Sequence, residues 1–362
     1  MQNLSKPLVI VTGSTGFIGS RTIEALVPDH TVVGLDVKEP EELISGSVFI
    51  ECDLTRDESV RAALDSIKDK YGDRIASVIH LAAYYDFSGS ESEMYRRLTV
   101  EGTARLLRKL QEFRTEQFAF SSTVLVLEPA EETDEELTER SPLEDEPWAY
   151  PQSKIEAEET IKRERGEIPT VTLRIAGVYD DECHSLPIAQ QISRIYERQI
   201  ESHFFPGDDS HGQPFVHAED LAGCLRKVVD RRQQLKNELF LIAEPELMSF
   251  EEMQNQLGEL IHGEEWTTVW IPKIVAKAGA WIKEKIENEE DTFIKPWMVD
   301  LADAHYPVAI DHAREHLGWE PQHRLRDTLP LMIGDLKQDP RAWYEKNSLV
   351  FPDEMKVSKK AS

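Results

Sequence analysis

Tyr150 and Lys154 stand four residues apart in Trp148-Ala149-Tyr150-Pro151-Gln152-Ser153-Lys154. On a helix that spacing puts both side chains on one face. An ammonium beside a phenol favours the phenolate and draws the tyrosine pKa down toward working pH. A phenol tuned in this way can give or take the proton that accompanies hydride transfer at a carbonyl. Ser122, in the run Phe120-Ser121-Ser122-Thr123, ends a neighbouring strand and could hydrogen-bond the same oxygen. Alone, such a pair also fits a plain surface helix. Its order behind a glycine-rich turn and a Ser-Ser-Thr strand end makes the combination specific.

The glycine-rich turn is Thr12-Gly13-Ser14-Thr15-Gly16-Phe17-Ile18-Gly19, entered from the apolar run Leu8-Val9-Ile10-Val11 and followed by a helix-like stretch to Val27. A buried parallel strand, a glycine turn and a helix form a phosphate-binding device. Glycines let backbone approach a pyrophosphate, and the helix N-terminus offers free N–H groups and a partial positive charge. Val32-Val33-Gly34-Leu35-Asp36 reads as the second strand and ends in an acid at the distance where a ribose hydroxyl would sit.

These pieces must be positioned by a sheet. Ser47–Cys52 reads as the third strand, closed by Asp53-Leu54, which could contact an adenine or, for Asp53, serve only as a turn acid. Thr55-Arg56-Asp57-Glu58 reads as a capping box opening a helix to about Lys70. Ile75–His80 is the fourth strand and runs into Leu81-Ala82-Ala83, small enough to let backbone lie against a cofactor. One long helix is predicted from about Glu91 to Phe113, a fifth strand over Gln117–Phe120, and a sixth over Thr170–Ile175. This alternation marks a doubly wound, parallel α/β sheet of the Rossmann kind. From Ala176 the pattern loosens into a smaller, mostly helical C-terminal lobe, with a second capping box at Ser249–Glu252 and a returning strand at Leu239–Ile242. The dinucleotide domain is expected over 1–177 plus about 215–245, and the substrate lobe over about 178–214 and 246–335. The tail 336–362 is expected to be mobile after Asp339.

Bulk properties bound the reading. The 362 residues carry a net charge of −27, which disfavours nucleic acid and anionic membranes as partners. The acidic stretches Glu128–Glu146 and Glu284–Asp291 read as a solvated loop and a solvated helix face. Three spaced cysteines, Cys52, Cys183 and Cys224, argue against a disulfide framework and fit a cytoplasmic protein. Neither a signal peptide nor a membrane span is expected. His312 and His316 lie one helical turn apart, but the zincin glutamate is missing and no metal site is assigned. Trp266, Trp270, Trp281 and Trp297 could line an apolar pocket or fill the lobe core.

At this point the chain resembles the extended short-chain dehydrogenases/reductases, the NAD-dependent epimerase/dehydratase family, over roughly Pro7 to Pro330. The matching pieces are Thr12–Gly19, Asp36, Asp53-Leu54, His80-Leu81-Ala82-Ala83, Phe120–Thr123, Tyr150–Lys154, Leu173-Arg174 with Gly177-Val178-Tyr179, Phe215-Val216-His217 with Asp220, and Leu317–Pro321. The resemblance implies Tyr150 as the acid/base, Lys154 as the group that tunes it and holds the nicotinamide ribose, and Ser122 as the orienter of the substrate oxygen, with Thr123 the second candidate. It implies NAD bound by Gly13, Thr15, Gly16, Phe17, Ile18, Gly19, Asp36, Asp53, Leu54, Leu81, Ala82, Ala83, Tyr150 and Lys154. Lys38 keeps NADP open as an alternative.

The implied activity is NAD(P)-linked oxidoreduction of a hydroxyl or carbonyl on a small-molecule substrate. A nucleotide-sugar epimerase that keeps its NAD bound is the first alternative, and a non-catalytic dinucleotide sensor the second. A homodimer through Glu91–Phe113 and Trp148–Arg165 is implied as well. Three positions depart from the family pattern. Thr99 stands where asparagine is usual. Val124-Leu125 replaces the Asp-Glu pair of sugar 4,6-dehydratases. Gln213 takes the place of an arginine that many nucleotide-sugar enzymes use on a diphosphate.

Overall fold

The computed structural model describes residues 6–86, 91–131, 135–145, 148–272, 304–352 and 355. β1 (Leu8–Thr12) is buried along its whole length, and its alternating side chains feed two cores. Val9 and Val11 pack with Ile23 and Leu26 of α1 (Phe17–Leu26) on one face. Leu8 and Ile10 pack on the other with Leu64 of α2 (Asp57–Tyr71), Leu106 of α3 (Glu101–Leu110) and Ile161 of α4 (Ala149–Glu164). Each such buried aliphatic side chain contributes about 1.5–3 kcal/mol.

β2 (Thr31–Asp36) and β3 (Ser47–Glu51) lie to one side of β1. β4 (Ser77–His80), β5 (Phe118–Thr123), β6 (Thr170–Ile175) and β7 (Glu238–Ile242) lie to the other, and every pairing is parallel. Strand order therefore reverses between β1 and β4, the point at which doubly wound sheets open a crevice beyond their C-terminal strand ends. The smaller region gathers α5 (Leu186–Tyr196), α7 (Phe250–His262), α9 (Leu325–Gln338) and α10 (Pro340–Lys346) around Ile188, Ile192, Leu257, Leu329 and Met332. Between these regions, Gly177–Tyr179 and Phe215–His217 pair as a short parallel ladder, from which α6 (Ala218–Asp230) departs. α8 (Asp311–Leu317) returns to the Rossmann core through Ala313 and Leu317.

Several expectations need correction. The single long helix breaks into a π-helical turn over Tyr95–Val100 followed by α3. The Thr55 capping box does not form: α2 starts from Arg56 without a side-chain cap, because Thr55 Oγ1 donates to Asp53 Oδ1 at 2.6 Å. The Ser249–Glu252 box does form. Residues 340–349 are packed rather than loose, while 353–354 and 356–362 lie outside the described residues. Asp339 accepts from Ala342 N at 3.0 Å to cap α10, and Trp343, Tyr344 and Leu349 are buried in the lobe core. Two adjacent aromatics and one leucine suffice where a helix is only two turns long, too short for any apolar period to show.

Trp266 belongs to that core, whereas Trp270 is exposed; Trp281, Trp297 and Glu284–Asp291 lie outside the described residues. Among the described residues no helix is long and apolar enough to cross a membrane.

Candidate active site

α1 starts at a bare end. Its N-cap is Gly16, no side chain caps it, and no acid stands in its first turn, so its leading N–H groups are left for an anion. The turn before it is shaped by contact. Gly13 adopts φ +68, and a Cβ there would meet Ala82 N at 2.9 Å; a Cβ on Gly19 would lie 2.1 Å from Gly13 O. Asp36 closes β2 with both carboxylate oxygens on backbone, accepting from Thr15 N at 3.1 Å and Val37 N at 2.8 Å. The glycine turn and the acid are thus tied together. The bare N–H groups at the α1 end beside the Asp36 carboxylate make a donor and acceptor set that suits a dinucleotide. Asp53 Oδ1 accepts from both Thr55 N and Thr55 Oγ1, so that oxygen works as a turn acid. Leu54 is buried beside Gly102.

A directional chain fixes the neighbouring strand ends. Thr103 Oγ1 donates to Thr99 O at 2.6 Å and so accepts from His80 Nε2 at 2.8 Å. His80 Nδ1 must then accept from Thr12 Oγ1 at 2.7 Å, while Thr12 Oγ1 accepts from Ala82 N at 3.2 Å. Burial and the Lys154 charge push the His80 pKa down to about 3, so the ring is neutral and serves as a brace. Thr99 accepts from Tyr84 N at 3.0 Å, and so still fixes the backbone after β4 where asparagine is usual. Thr12 and His80 belong to the matching motif pieces, but their joining through Thr103 was not legible, because the strands that unite them are far apart in sequence.

At the end of β5 the two candidate hydroxyls have different partners. Ser122 is buried and its Oγ donates to Glu158 Oε1 at 2.6 Å, beneath α4. Arg174 Nη2 holds Glu158 Oε2 at 2.9 Å and its Nε reaches Oε1 at 3.2 Å. Thr123 Oγ1 accepts from Leu125 N at 3.3 Å, and the Thr123 side chain works to lower the Tyr150 pKa. Strand alternation separates them: Ser122 shares the face of Phe118 and Phe120, which pack under α4, whereas Thr123, the last residue of the strand, falls on the opposite face.

Tyr150 sits in the first turn of α4. The Tyr85 ring meets it edge-on at 4.8 Å and the Trp148 ring lies 6.5 Å away. Lys154, fully within the protein, donates from Nζ to Ser121 O at 2.6 Å and lies 6.0 Å from the Tyr150 ring. The pair is together as expected, but the expected lowering of the phenol pKa is absent in this state. Burial pushes Tyr150 up to about 12, the Thr123 side chain working against it and Tyr95 adding to it. Lys154 cannot offset this, since burial brings its own pKa down to about 7, partly countered by Glu158, and its donor is turned to a carbonyl. A phenol in this condition stays protonated at neutral pH and is set to donate.

Other singled-out residues have structural duties. Gln213 Nε2 donates to Ala304 O at 2.6 Å. His217 caps α6 by accepting from Glu219 N at 3.3 Å. His217, Glu219 and His323 come within metal-ligand range. The two imidazoles, however, stack at 3.9 Å and 19°, so their in-plane lone pairs do not converge on one ion. His312 stacks on Phe240 and bonds Glu238 at 3.3 Å, with the His316 ring 4.3 Å from its own.

A sequence model of the NAD dependent epimerase/dehydratase family matches residues 9–243. The chain is similar to sterol-4-alpha-carboxylate 3-dehydrogenase (decarboxylating) of Candida albicans, at 22% identity over 361 residues covering 91% of this chain and 98% of that one. It is similar to UDP-glucose 4-epimerase of Erwinia amylovora, at 27% identity over 254 residues covering 61% and 73%. The solved structure of Thermus thermophilus UDP-glucose 4-epimerase in complex with NAD has the same fold, with a TM-score of 0.68, 20% identity, and coverage of 92% of this chain and 99% of that one.

Proposed function

The chain belongs to the NAD-dependent epimerase/dehydratase family, and from that premise we propose that it holds NAD along the strand ends and oxidises or reduces a hydroxyl or carbonyl carbon, with Tyr150 handling the proton. The observation that carries this reading is that Tyr150 opens α4 with Lys154 one turn behind it, the Lys154 Nζ lying 6.0 Å from the phenol ring and donating to Ser121 O of β5. Gly13, Thr15, Gly16, Phe17, Ile18 and Gly19 would hold the pyrophosphate, Asp36 a ribose, and Leu81-Ala82-Ala83 the wall beside the reactive ring. The carboxylate of Asp36 would repel a 2′-phosphate, which favours NAD over NADP despite Lys38 nearby. Bound NAD supplies the hydride acceptor or donor.

The side chains then divide the proton work. Thr123 orients the substrate oxygen and the phenol toward each other. Tyr150, protonated at neutral pH, donates to a carbonyl oxygen as it becomes a hydroxyl. In the reverse direction it must accept that proton, which requires a positive charge nearby; protonated Lys154, turned from Ser121 O toward the phenol, supplies one.

Within the family, the UDP-glucose 4-epimerase relatives support an epimerase that returns the hydride and keeps NAD through turnover, acting on a nucleotide sugar. Gln213 favours the second reading, a net dehydrogenase. Its amide brings no charge for a diphosphate and is committed to Ala304 O. The sterol dehydrogenase relative points the same way. Residues 1–177 with 215–245 would carry the dinucleotide, and the lobe after Ala176 the substrate. The three buried thiols fit a reducing cytoplasm, and the outer faces of α3 and α4 would pair in a homodimer.

Mass spectrometry of nucleotide released on denaturation, followed by incubation with UDP-glucose, separates the two readings. Tyr150→Phe tests the shared chemistry: NAD binding is expected to persist while turnover falls by about 10²–10⁴-fold. Unchanged turnover in that variant would refute the role of Tyr150.

A further inference from the structure

Asp180 follows the Gly177–Tyr179 strand, and its buried carboxylate gathers four donors. Oδ1 accepts from Glu182 N at 3.1 Å and His184 N at 3.0 Å. Oδ2 takes His184 Nδ1 at 2.7 Å and Arg21 Nη2. These bonds curl residues 180–184 into a tight loop in which Cys183 is buried at φ +63. Arg21 comes from α1. Its guanidinium lies 4.1 Å over the Phe17 ring and Nη1 donates to Phe17 O at 3.2 Å. The His184 ring lies 5.3 Å from Phe17 on the same ring system. Burial works to raise the Asp180 pKa, but His184 and Arg21 outweigh it and hold the carboxylate ionised.

Phe17 is the first residue of α1, at the bare N–H end. The loop that grips it leads directly into α5 of the lobe. We infer that Arg21, Asp180 and His184 form a clasp that fastens the lobe over the pyrophosphate end of the dinucleotide site and sets how long the dinucleotide stays bound. The inference rests on the NAD reading above. It deepens that reading, since long retention is what an epimerase needs and what a net dehydrogenase must relax. Opening the clasp separates a partly buried, hydrogen-bonded charge pair, and loss of one partner of such a pair acts mainly on dissociation.

The test is the release rate of etheno-NAD from the full-length protein, chased with excess NAD in a stopped-flow fluorimeter. Arg21→Ala is expected to speed release by about tenfold or more while association changes by less than about twofold. Arg21→Lys, which keeps the charge, should recover most of the slow release. Asp180→Asn keeps the volume and removes the charge, and should accelerate release as Arg21→Ala does; it also serves if the alanine variant folds poorly. Release at the wild-type rate in both charge-removing variants overturns the clasp and leaves the NAD reading intact. Failure of the wild-type protein to bind either etheno-NAD or NAD overturns both.

Discussion

Replacing Ser122 by alanine and Thr123 by valine in separate proteins should produce opposite defects. Ser122 Oγ is one of two donors to Glu158 Oε1, at 2.6 Å, and the other, Arg174 Nε, is at 3.2 Å. A hydrogen bond to a charged group contributes about 1.5–3 kcal/mol, and Ser122→Ala leaves Oε1 with only the longer contact, so about 2 kcal/mol of stability should go. That corresponds to a thermal midpoint lower by about 4–8 °C for a domain of this order of size. Turnover should stay within about threefold, because the hydroxyl is committed to Glu158.

Thr123→Val keeps the shape but removes the hydroxyl beside Tyr150. Its remaining bond, accepted from Leu125 N at 3.3 Å, is long, and the stability change should stay below about 1 kcal/mol. Turnover should fall by about 10²–10³-fold, the range for deleting one preorganised donor at a reacting oxygen. Circular dichroism melts and turnover measured on the same preparations read out both effects. A stable but inactive Ser122→Ala beside a fully active Thr123→Val would refute this division of roles and return Ser122 to the substrate.

Two further changes test the surroundings. Burial pushes Glu244, whose Oε2 accepts from Leu325 N at 2.8 Å, up to about 8 from its ordinary 4.5. A raised folded-state pKa stabilises fully below the unfolded value and is lost as pH rises through the folded one. Glu244→Gln should therefore be close to the parent at pH 4 and more stable than it at pH 9, and parallel melting curves against pH would contradict this. Gly19→Ala would drive its Cβ against the Gly13 carbonyl, which has no side chain to yield. A loss of about 1–3 kcal/mol and a weakened NAD titration by calorimetry are expected, and unchanged affinity would show that the turn is not the pyrophosphate cradle.

Much of the fold was legible because its signals are local. The apolar β1 run, the glycines at 13, 16 and 19, the acid at the end of β2 and the Tyr150–Lys154 spacing each depend on a few adjacent residues. Glu158 was in principle legible too, since it continues the 150, 154 face by one more turn. Arg174, the one charge in the buried strand Thr170–Ile175, signalled that something anionic must meet it. The packing of residues 340–349 was not legible because α10 is anchored by Trp343 and Tyr344 docking into a distant core, with only Asp339-Pro340 as a local sign.

By itself the chain's order of residues determined the doubly wound sheet, the pyrophosphate turn and the pairing of a phenol with an ammonium, since backbone period and turn chemistry are written over short stretches. Only the tertiary structure decided that Ser122 turns to Glu158, that burial pushes the Tyr150 phenol up, and that Arg21 closes on Asp180. Those outcomes depend on which face of a strand is buried, how much water the neighbouring rings exclude, and which distant charges are brought into contact. None of these is a property of neighbours in sequence.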